Sequence, residues 1–303
     1  MKSNPRRAVV VGAGISGLSA AYALVRDAAG AEVTVFDAAD RTGGKIDTSQ
    51  LAGRPVDRGA DAFLARVPEA LDLCRELGLG DQLVTPARRR AYLFSRGALR
   101  AFPEGLSLGV PTDLEALAAA DVVSAEAVTR AARDLEMTEP PATGDESVGA
   151  LVRRRVGDEV FETLVAPLLS GVYAGDADRL SVAATAPQFA AALREHGSLI
   201  AGLRAQLTAA AVNEAPVFYG LRGGTRQLTD ALVRAIEAHG CKLVLERAVR
   251  EVAPTDRGSR VELVGAEPVD ADAVVLATPD FVSAHLVDRA APAVASALAT
   301  VPY

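Results

Sequence analysis

The sequence predicts an α/β fold: a parallel sheet with helices packed on it, interrupted by a separate helical block. Three observations predict it. Ala8–Val11 is an apolar run without alternation, the pattern of a strand buried on both faces of a parallel sheet. A helical pattern and a second strand follow at once, so the first 37 residues read as a βαβ unit. From Pro111 to about Ala210 nearly every pattern is helical, and strand character returns only afterwards.

Taken in order, the helix after Gly12 is carried by Leu18, Ala21, Tyr22 and Val25 within Ser16–Arg26, at i, i+3, i+4, i+7 spacing. Glu32–Asp37 is the second strand. Pro68–Leu77 reads as a helix with Leu71, Cys74 and Leu77 on one face and Gly78 as its stop. Ala91–Phe94 and Ala98–Phe102 flank Ser95-Arg96-Gly97, a hairpin signal. Pro111-Thr112-x-x-Glu115 has the form of a capping box, with Thr112 opening a helix. Within the helical block, Glu139–Asp145 reads as a polar loop and Ser170–Asp178 as irregular. Val217–Tyr219 is a strand and Arg226–Ala238 an amphipathic helix stopped at Gly240. Lys242–Leu245, Val249–Val252, Val261–Val264 and Ala273–Ala277 complete the strands, the middle pair joined through Asp256-Arg257-Gly258.

Composition narrows the functional classes. Of the 303 residues 50% are hydrophobic and 23% charged, enough to build a large core. No apolar run reaches 18 residues, so no membrane span is expected. The N-terminus lacks the pattern of a signal peptide, and a cytoplasmic protein is the expectation. A net charge of −7 argues against a nucleic-acid binder, which needs a basic field. Two cysteines, Cys74 and Cys241, are too few for a disulfide framework and read as buried thiols. His196, His239 and His285 have no second ligand at metal spacing, so no metal is expected.

The chemistry sits near the N-terminus. Gly12-Ala13-Gly14-Ile15-Ser16-Gly17 is G-x-G-x-x-G between a buried strand and a helix. Gly12 permits the tight turn, Gly14 leaves room for a pyrophosphate, and Gly17 lets helix and strand pack closely, so a Rossmann-like dinucleotide site is expected. Asp37 follows Gly17 by 20 residues at the end of the second strand, where an acid accepts hydrogen bonds from the adenosine ribose. Arg41-Thr42-Gly43-Gly44-Lys45 adds a second glycine turn with two cations, which suits a flavin dinucleotide better than a nicotinamide one. Arg58-Gly59-Ala60-Asp61 is a turn of small residues that a flat ring could approach.

With these residues the chain resembles the FAD-dependent porphyrinogen oxidases of haem synthesis, within the wider amine-oxidase and phytoene-desaturase group. Asp37…Arg41-Thr42-Gly43-Gly44-Lys45-Ile46 and Arg58–Arg66 match its N-terminal motifs. Arg153–Val160, Pro167–Asp176 with Leu180-Ser181, Gly223-Gly224, Val249-x-x-Val252 and Ala273–Pro279 continue the pattern. It is most similar to the soluble type of Gram-positive bacteria, which oxidises coproporphyrinogen III. Where protoporphyrinogen-acting relatives carry a propionate-binding Arg, this chain has Ala91, preceded by Arg88, Arg89 and Arg90.

The resemblance implies a glutathione-reductase/amine-oxidase type FAD-binding domain in parts, 1–85 and 226–303, a substrate domain contributing 86–105 and 213–225, and an inserted helical subdomain at 106–212. It implies FAD held by Gly12–Gly17, Phe36, Asp37, Arg41, Gly44, Lys45, Gly59, Ala60, Asp61, Ala62 and Val249, with Gly171 and Arg66 toward the substrate and no dedicated catalytic base. The implied reaction is the O2-using six-electron oxidation of coproporphyrinogen III to coproporphyrin III with release of H2O2, and a transient contact with the next enzyme of the haem pathway. Alternatives within it are protoporphyrinogen IX oxidation or an amine-oxidase or desaturase activity. A non-catalytic nucleotide-binding remnant is the alternative of another class. The family's pattern is also expected to run on past Tyr303, into further strands and a last glycine-rich segment.

Overall fold

The computed structural model describes residues 6–28, 30–65, 67–87, 91–137, 144–210 and 216–301. Two compact units are present: Met1–Pro86 with Pro216–Tyr303, and Ala87–Ala215. Arg66 and Arg88–Arg90 lie outside the described residues, as does most of the loop expected at Glu139–Asp145.

In the first unit, β1 (Arg7–Val11) leads through α1 (Ile15–Asp27) to β2 (Glu32–Phe36). The chain returns to this sheet after α2 (Arg226–Ala238) with β3 (Lys242–Val244), then β4 (Val249–Thr255), β5 (Gly258–Leu263), β6 (Val269–Ala271), β7 (Ala273–Leu276) and α3 (Asp280–Val287). Four strands form a parallel sheet in the order β3-β2-β1-β7, with Val10 beside Val35 on one side and Val275 on the other.

The unbroken apolar run of β1 has its reason in this position. Ala8 and Val10 join Leu18, Val33, Val35, Leu232 and Ile236 in a core on the face covered by α1 and α2. Val9 and Val11 face the other way, into a core with Phe36, Val261, Leu263, Ala271 and Leu286. That second face is covered by the antiparallel sheet β4-β5-β6 and by α3. Each fully buried Val or Leu here contributes roughly 1.5–3 kcal/mol relative to exposure, so a polar residue on either face of β1 would be costly.

Short pairings complete the unit. Thr48–Leu51 and Arg54–Asp57 make a hairpin, and Phe218–Leu221 pairs antiparallel with Phe63–Leu64 and with Leu83–Val84. The strand expected at Val217–Tyr219 is thus present as Phe218–Leu221, whereas its short partners and the polar hairpin carry too little alternation to be read from sequence. Cys74 and Cys241 are free and buried. Burial pushes both thiols up, Cys241 to about 11 with a further contribution from Glu237.

The second unit holds the helical block and the Tyr92–Ser95/Ala98–Ala101 hairpin, whose two-residue loop Arg96-Gly97 has positive φ at both positions, as a type I′ turn requires. Its helices enclose a core that includes Leu117, Leu151, Phe161, Leu164, Phe189, Ile200 and Leu203. Two sequence expectations are corrected here. Thr112 does not cap the helix Leu114–Ala119: Asp113 does, accepting from the backbone N–H groups of Glu115 and Ala116, while the Thr112 hydroxyl donates to the Gly105 carbonyl. Asp competes well for the N-cap and is one residue closer to the helix. Ser170–Asp178 is not irregular throughout, because the helix Ala166–Tyr173 runs into it and ends at Ala174, which is left-handed. That helix continues from a π-helical turn at Phe161–Val165, just before Pro167, whose missing N–H and bulky ring disturb the usual ladder.

A polar pair lies inside this unit. Asp134 and Arg155 are 0% and 3% exposed and meet at 3.0 Å. Asp134 also accepts from the Ser198 hydroxyl at 2.7 Å and the Ile200 N–H at 2.8 Å, while Arg155 donates to the Gly197 carbonyl.

Candidate cofactor site

The carboxyl ends of parallel strands are where an open α/β sheet binds ligands, because helix N-termini and loops converge there. A cavity of about 580 Å³ opens there, in the first unit. Its walls come from the ends of β1 (Val11, Gly12), β2 (Phe36, Asp37) and β7 (Ala277), the start of α1 (Gly14, Ile15, Ser16) and the loop Gly43–Ile46. Arg247, Ala248 and Val249 close another side.

The three motif glycines do different work. At Gly12, φ is +107° and an added Cβ would lie 2.7 Å from the Ala277 carbonyl oxygen. At Gly17 it would lie 1.8 Å from the Gly12 carbonyl oxygen. Both are required by the fold. Gly14 differs: its nearest neighbour would be the Gly44 Cα at 3.9 Å, so no protein atom needs that space. Gly14 is also the N-cap of α1 with no side chain capping it. The first N–H groups of a helix have no intrahelical partner and carry the positive end of its dipole. A room without a side chain in front of such donors is a fit for a pyrophosphate.

A second glycine turn crosses the first. The Gly43 N–H donates to the Ala13 carbonyl at 2.8 Å, and a Cβ on Gly44 would come within 3.1 Å of the Gly14 Cα. Arg41 holds this turn from within, donating to the carbonyls of Gly44 at 2.9 Å, Thr42 at 3.3 Å and Ile46 at 3.4 Å. Asp37 is fixed by backbone donors: Ala13 N–H to Oδ2 at 2.6 Å and Ala39 N–H to Oδ1 at 2.8 Å. A carboxylate oxygen has two lone-pair sites, so acceptor capacity for a ribose remains.

Of the residues singled out in the sequence, Gly12, Gly14, Ile15, Ser16, Phe36, Asp37, Gly44, Lys45 and Val249 line the cavity together. Ala13, Gly17 and Arg41 support it from behind. The turn Gly59–Ala62 adjoins it through Lys45, since a Cβ on Gly59 would sit 2.3 Å from the Lys45 carbonyl oxygen. Gly171 lies in the second unit, on the helix Ala166–Tyr173 and exposed. Arg66 is outside the described residues. The sequence reading did not single out Arg247, Ala248, Thr278 or Asp280, which also line the cavity. The signal was available, because these residues follow β3 and β7, whose carboxyl ends point at the site.

Residues 15–303 match the family described as flavin containing amine oxidoreductase. The chain belongs to that family. The cofactor of the family is a flavin, and the Gly14 cavity has the donors and the room for its dinucleotide form. The chain is 32% identical over 301 residues to coproporphyrinogen III oxidase of Bacillus subtilis (strain 168), covering 95% of this chain and 63% of that protein. It is 38% identical over 295 residues to coproporphyrinogen III oxidase of Mycobacterium tuberculosis (strain ATCC 25618 / H37Rv), covering 95% of this chain and 62% of the relative. A crystal structure from Exiguobacterium sp. 255-15, provisionally assigned as a protoporphyrinogen oxidase, superposes with a TM-score of 0.83 at 32% identity over 96% of this chain and 63% of that one. The chain thus spans less than two thirds of the length of each of these relatives. No helix among the described residues is long and apolar enough to cross a membrane.

Proposed function

We propose that this protein is a cytoplasmic, FAD-dependent oxidase that converts coproporphyrinogen III to coproporphyrin III in haem biosynthesis. The observation that carries the cofactor is the side-chain-free space at Gly14 before the uncapped N-terminus of α1. The substrate is inferred from the likeness to the two bacterial coproporphyrinogen III oxidases.

Coproporphyrinogen III and three O2 give coproporphyrin III and three H2O2, so six electrons and six protons leave the substrate in three rounds. When bound, the flavin supplies the two-electron acceptor for each round. The residues of this chain bind and orient it. The N–H groups at the start of α1 would hold the pyrophosphate, Asp37 and Phe36 the adenosine, and Val249, through its backbone, the adenine. Arg41 fixes the Gly43–Gly44 turn, while Lys45 would serve the ribityl side and Gly59–Ala62 the ring. Gly171 and Arg66 would each have a part in holding the substrate. In this reading residues 1–85 and 226–303 form the FAD-binding domain, 86–105 and 213–225 belong to the substrate domain, and 106–212 are the helical subdomain. No side chain is assigned as base; the protein contributes positioning and electrostatics.

The test is to purify the chain with FAD and supply coproporphyrinogen III under air. Retained flavin absorbance and coproporphyrin fluorescence above the spontaneous rate are expected. A colourless protein that takes up no FAD refutes the cofactor assignment, and a yellow protein without turnover refutes the oxidase assignment for this chain. Protoporphyrinogen IX is the second reading, favoured by the likeness to the Exiguobacterium structure. The ratio of kcat/KM for the two porphyrinogens decides between them.

A further inference from the structure

One polar cluster beside the cavity is left unused by the site as described. Thr225 precedes α2 and is 5% exposed. Its N–H donates to the Asp57 carboxylate at 3.0 and 3.2 Å, and its hydroxyl lies 3.0 Å from Asp57 Oδ1 and 2.8 Å from the Ala60 carbonyl oxygen. Asp57 also accepts from the Thr48 hydroxyl, which in turn accepts from the Arg226 N–H at 3.1 Å. The cluster admits no bulk, since a Cβ on Gly224 would meet the Thr48 side chain at 2.3 Å. It ties the start of α2, the hairpin 48–57 and the turn 58–61 into one piece.

That turn is held on its other sides by backbone. The Arg58 N–H donates to the Asp47 carbonyl at 2.8 Å, Gly59 abuts the Lys45 carbonyl, and a Cβ on Gly220 would lie 2.9 Å from the Asp61 carbonyl oxygen. Lys45 itself lines the cavity. The Thr225 hydroxyl has one proton for two acceptors; Asp57 Oδ1 already accepts from the Thr225 N–H and the Thr48 hydroxyl, so we place that proton on the shorter 2.8 Å bond to the Ala60 carbonyl, where it sets how Ala60 stands relative to the cavity wall at Lys45.

We infer that Thr225 and Asp57 are positioning residues for the flavin: a clasp that fixes the 58–61 turn so that its backbone meets the ring end of a cofactor seated at Gly14. This rests on the FAD reading above. Thr225 acts through the Ala60 carbonyl and touches no reacting atom. Removing its hydroxyl leaves that carbonyl without this donor and frees the turn, while the pyrophosphate end of the site is untouched.

The experiment uses the full chain and FAD as the probe. For wild type, T225V and T225S, the FAD dissociation constant, the visible spectrum at saturating FAD and the melting temperature without FAD are measured. T225V replaces the hydroxyl by a methyl group of similar size. About tenfold weaker binding is expected, the loss of one good hydrogen bond, together with altered vibronic structure in the saturated spectrum. T225S restores both. A general loss of stability would lower affinity but leave the saturated spectrum unchanged, so the spectrum separates positioning from folding. Equal affinity and an identical spectrum for T225V, or a T225S that behaves like T225V, overturns the clasp. A wild type that takes up no FAD overturns the cofactor reading and the clasp with it.

Discussion

Replacing Asp134 by alanine should destabilise the helical unit by about 3–5 kcal/mol, the range for breaking one side of a buried ion pair. The structure supplies the reasons. The carboxylate is 0% exposed and engages the Arg155 guanidinium at 3.0 Å, the Ser198 hydroxyl at 2.7 Å and the Ile200 N–H at 2.8 Å. Truncation leaves a guanidinium that is 3% exposed without this counter-ion, beside the Gly197 carbonyl. It also leaves a buried backbone donor at Ile200 unpaired, which alone costs about 1–3 kcal/mol. Urea unfolding followed by far-UV circular dichroism is the assay. With a slope of about 3 kcal/mol/M, a loss of 4 kcal/mol lowers the midpoint by roughly 1.3 M. The double variant Asp134→Leu/Arg155→Met removes both charges and restores apolar contact. It should recover at least about 2 kcal/mol of the loss, because a well-packed apolar pair is often as stable as the ion pair it replaces. A single variant costing less than about 1 kcal/mol, or a double variant worse than D134A, would refute the reasoning.

The cofactor site gives sharper contrasts. Gly17→Ala drives a Cβ to 1.8 Å from the Gly12 carbonyl, so it should lower stability by about 1–3 kcal/mol and abolish FAD uptake, whereas Gly14→Ala meets no clash and should lower the melting temperature only by the smaller loss of a glycine N-cap while FAD affinity falls. Arg41→Gln should weaken FAD binding by a factor that does not change between low and high salt, since Arg41 is spent on the carbonyls of Thr42, Gly44 and Ile46; a steep salt dependence of that factor would mean that it meets phosphate directly. The buried thiols set a pH dependence. A thiol pKa raised by folding adds stability that is complete below the unfolded value of about 8.5 and lost as pH rises through the folded one, for Cys241 about 11. Urea midpoints should therefore be flat in this contribution up to about pH 8 and fall above it, and a Cys241→Ser variant should lack that share of the fall. Both thiols should react with a thiol reagent in urea and scarcely at all in the folded protein at pH 8.

What could be read from the sequence was what is local. The βαβ unit was legible because burial on both faces leaves β1 a pure apolar run, and because the period of α1 is undisturbed. The G-x-G-x-x-G turn and Asp37 were legible because one turn and one strand end fix their spacing. The capping residue was misplaced because Thr112 and Asp113 are both good caps, and the competing partner of Thr112, the Gly105 carbonyl, is set by a turn that sequence does not show. The helix through Ser170–Tyr173 was missed because Gly171 and Pro167 argue against it locally, while buried Leu169 holds it in the core. The bond from Thr225 to Asp57 spans 168 residues, and nothing in either neighbourhood announces the other.

That contrast explains why a glycine motif can be trusted for a cofactor while the rest of its site cannot be read. Gly12 and Gly17 are demanded by the protein itself: strand, turn and helix could not meet as they do with a Cβ at either position. Their presence reports the fold. Gly14 is demanded by nothing in the protein, and an alanine there would meet only ordinary contact. Ser, Asp or Asn would cap the helix better than glycine does, so a glycine N-cap with open space before it points to a ligand that fills the space. The motif thus carries two kinds of information, and the structure separates them. The Gly59–Ala62 turn, where the ring is proposed to lie, has no such residue. Its geometry is held locally by the Asp47 and Lys45 carbonyls and, across 165 residues, by Thr225, a contact that no local pattern announces.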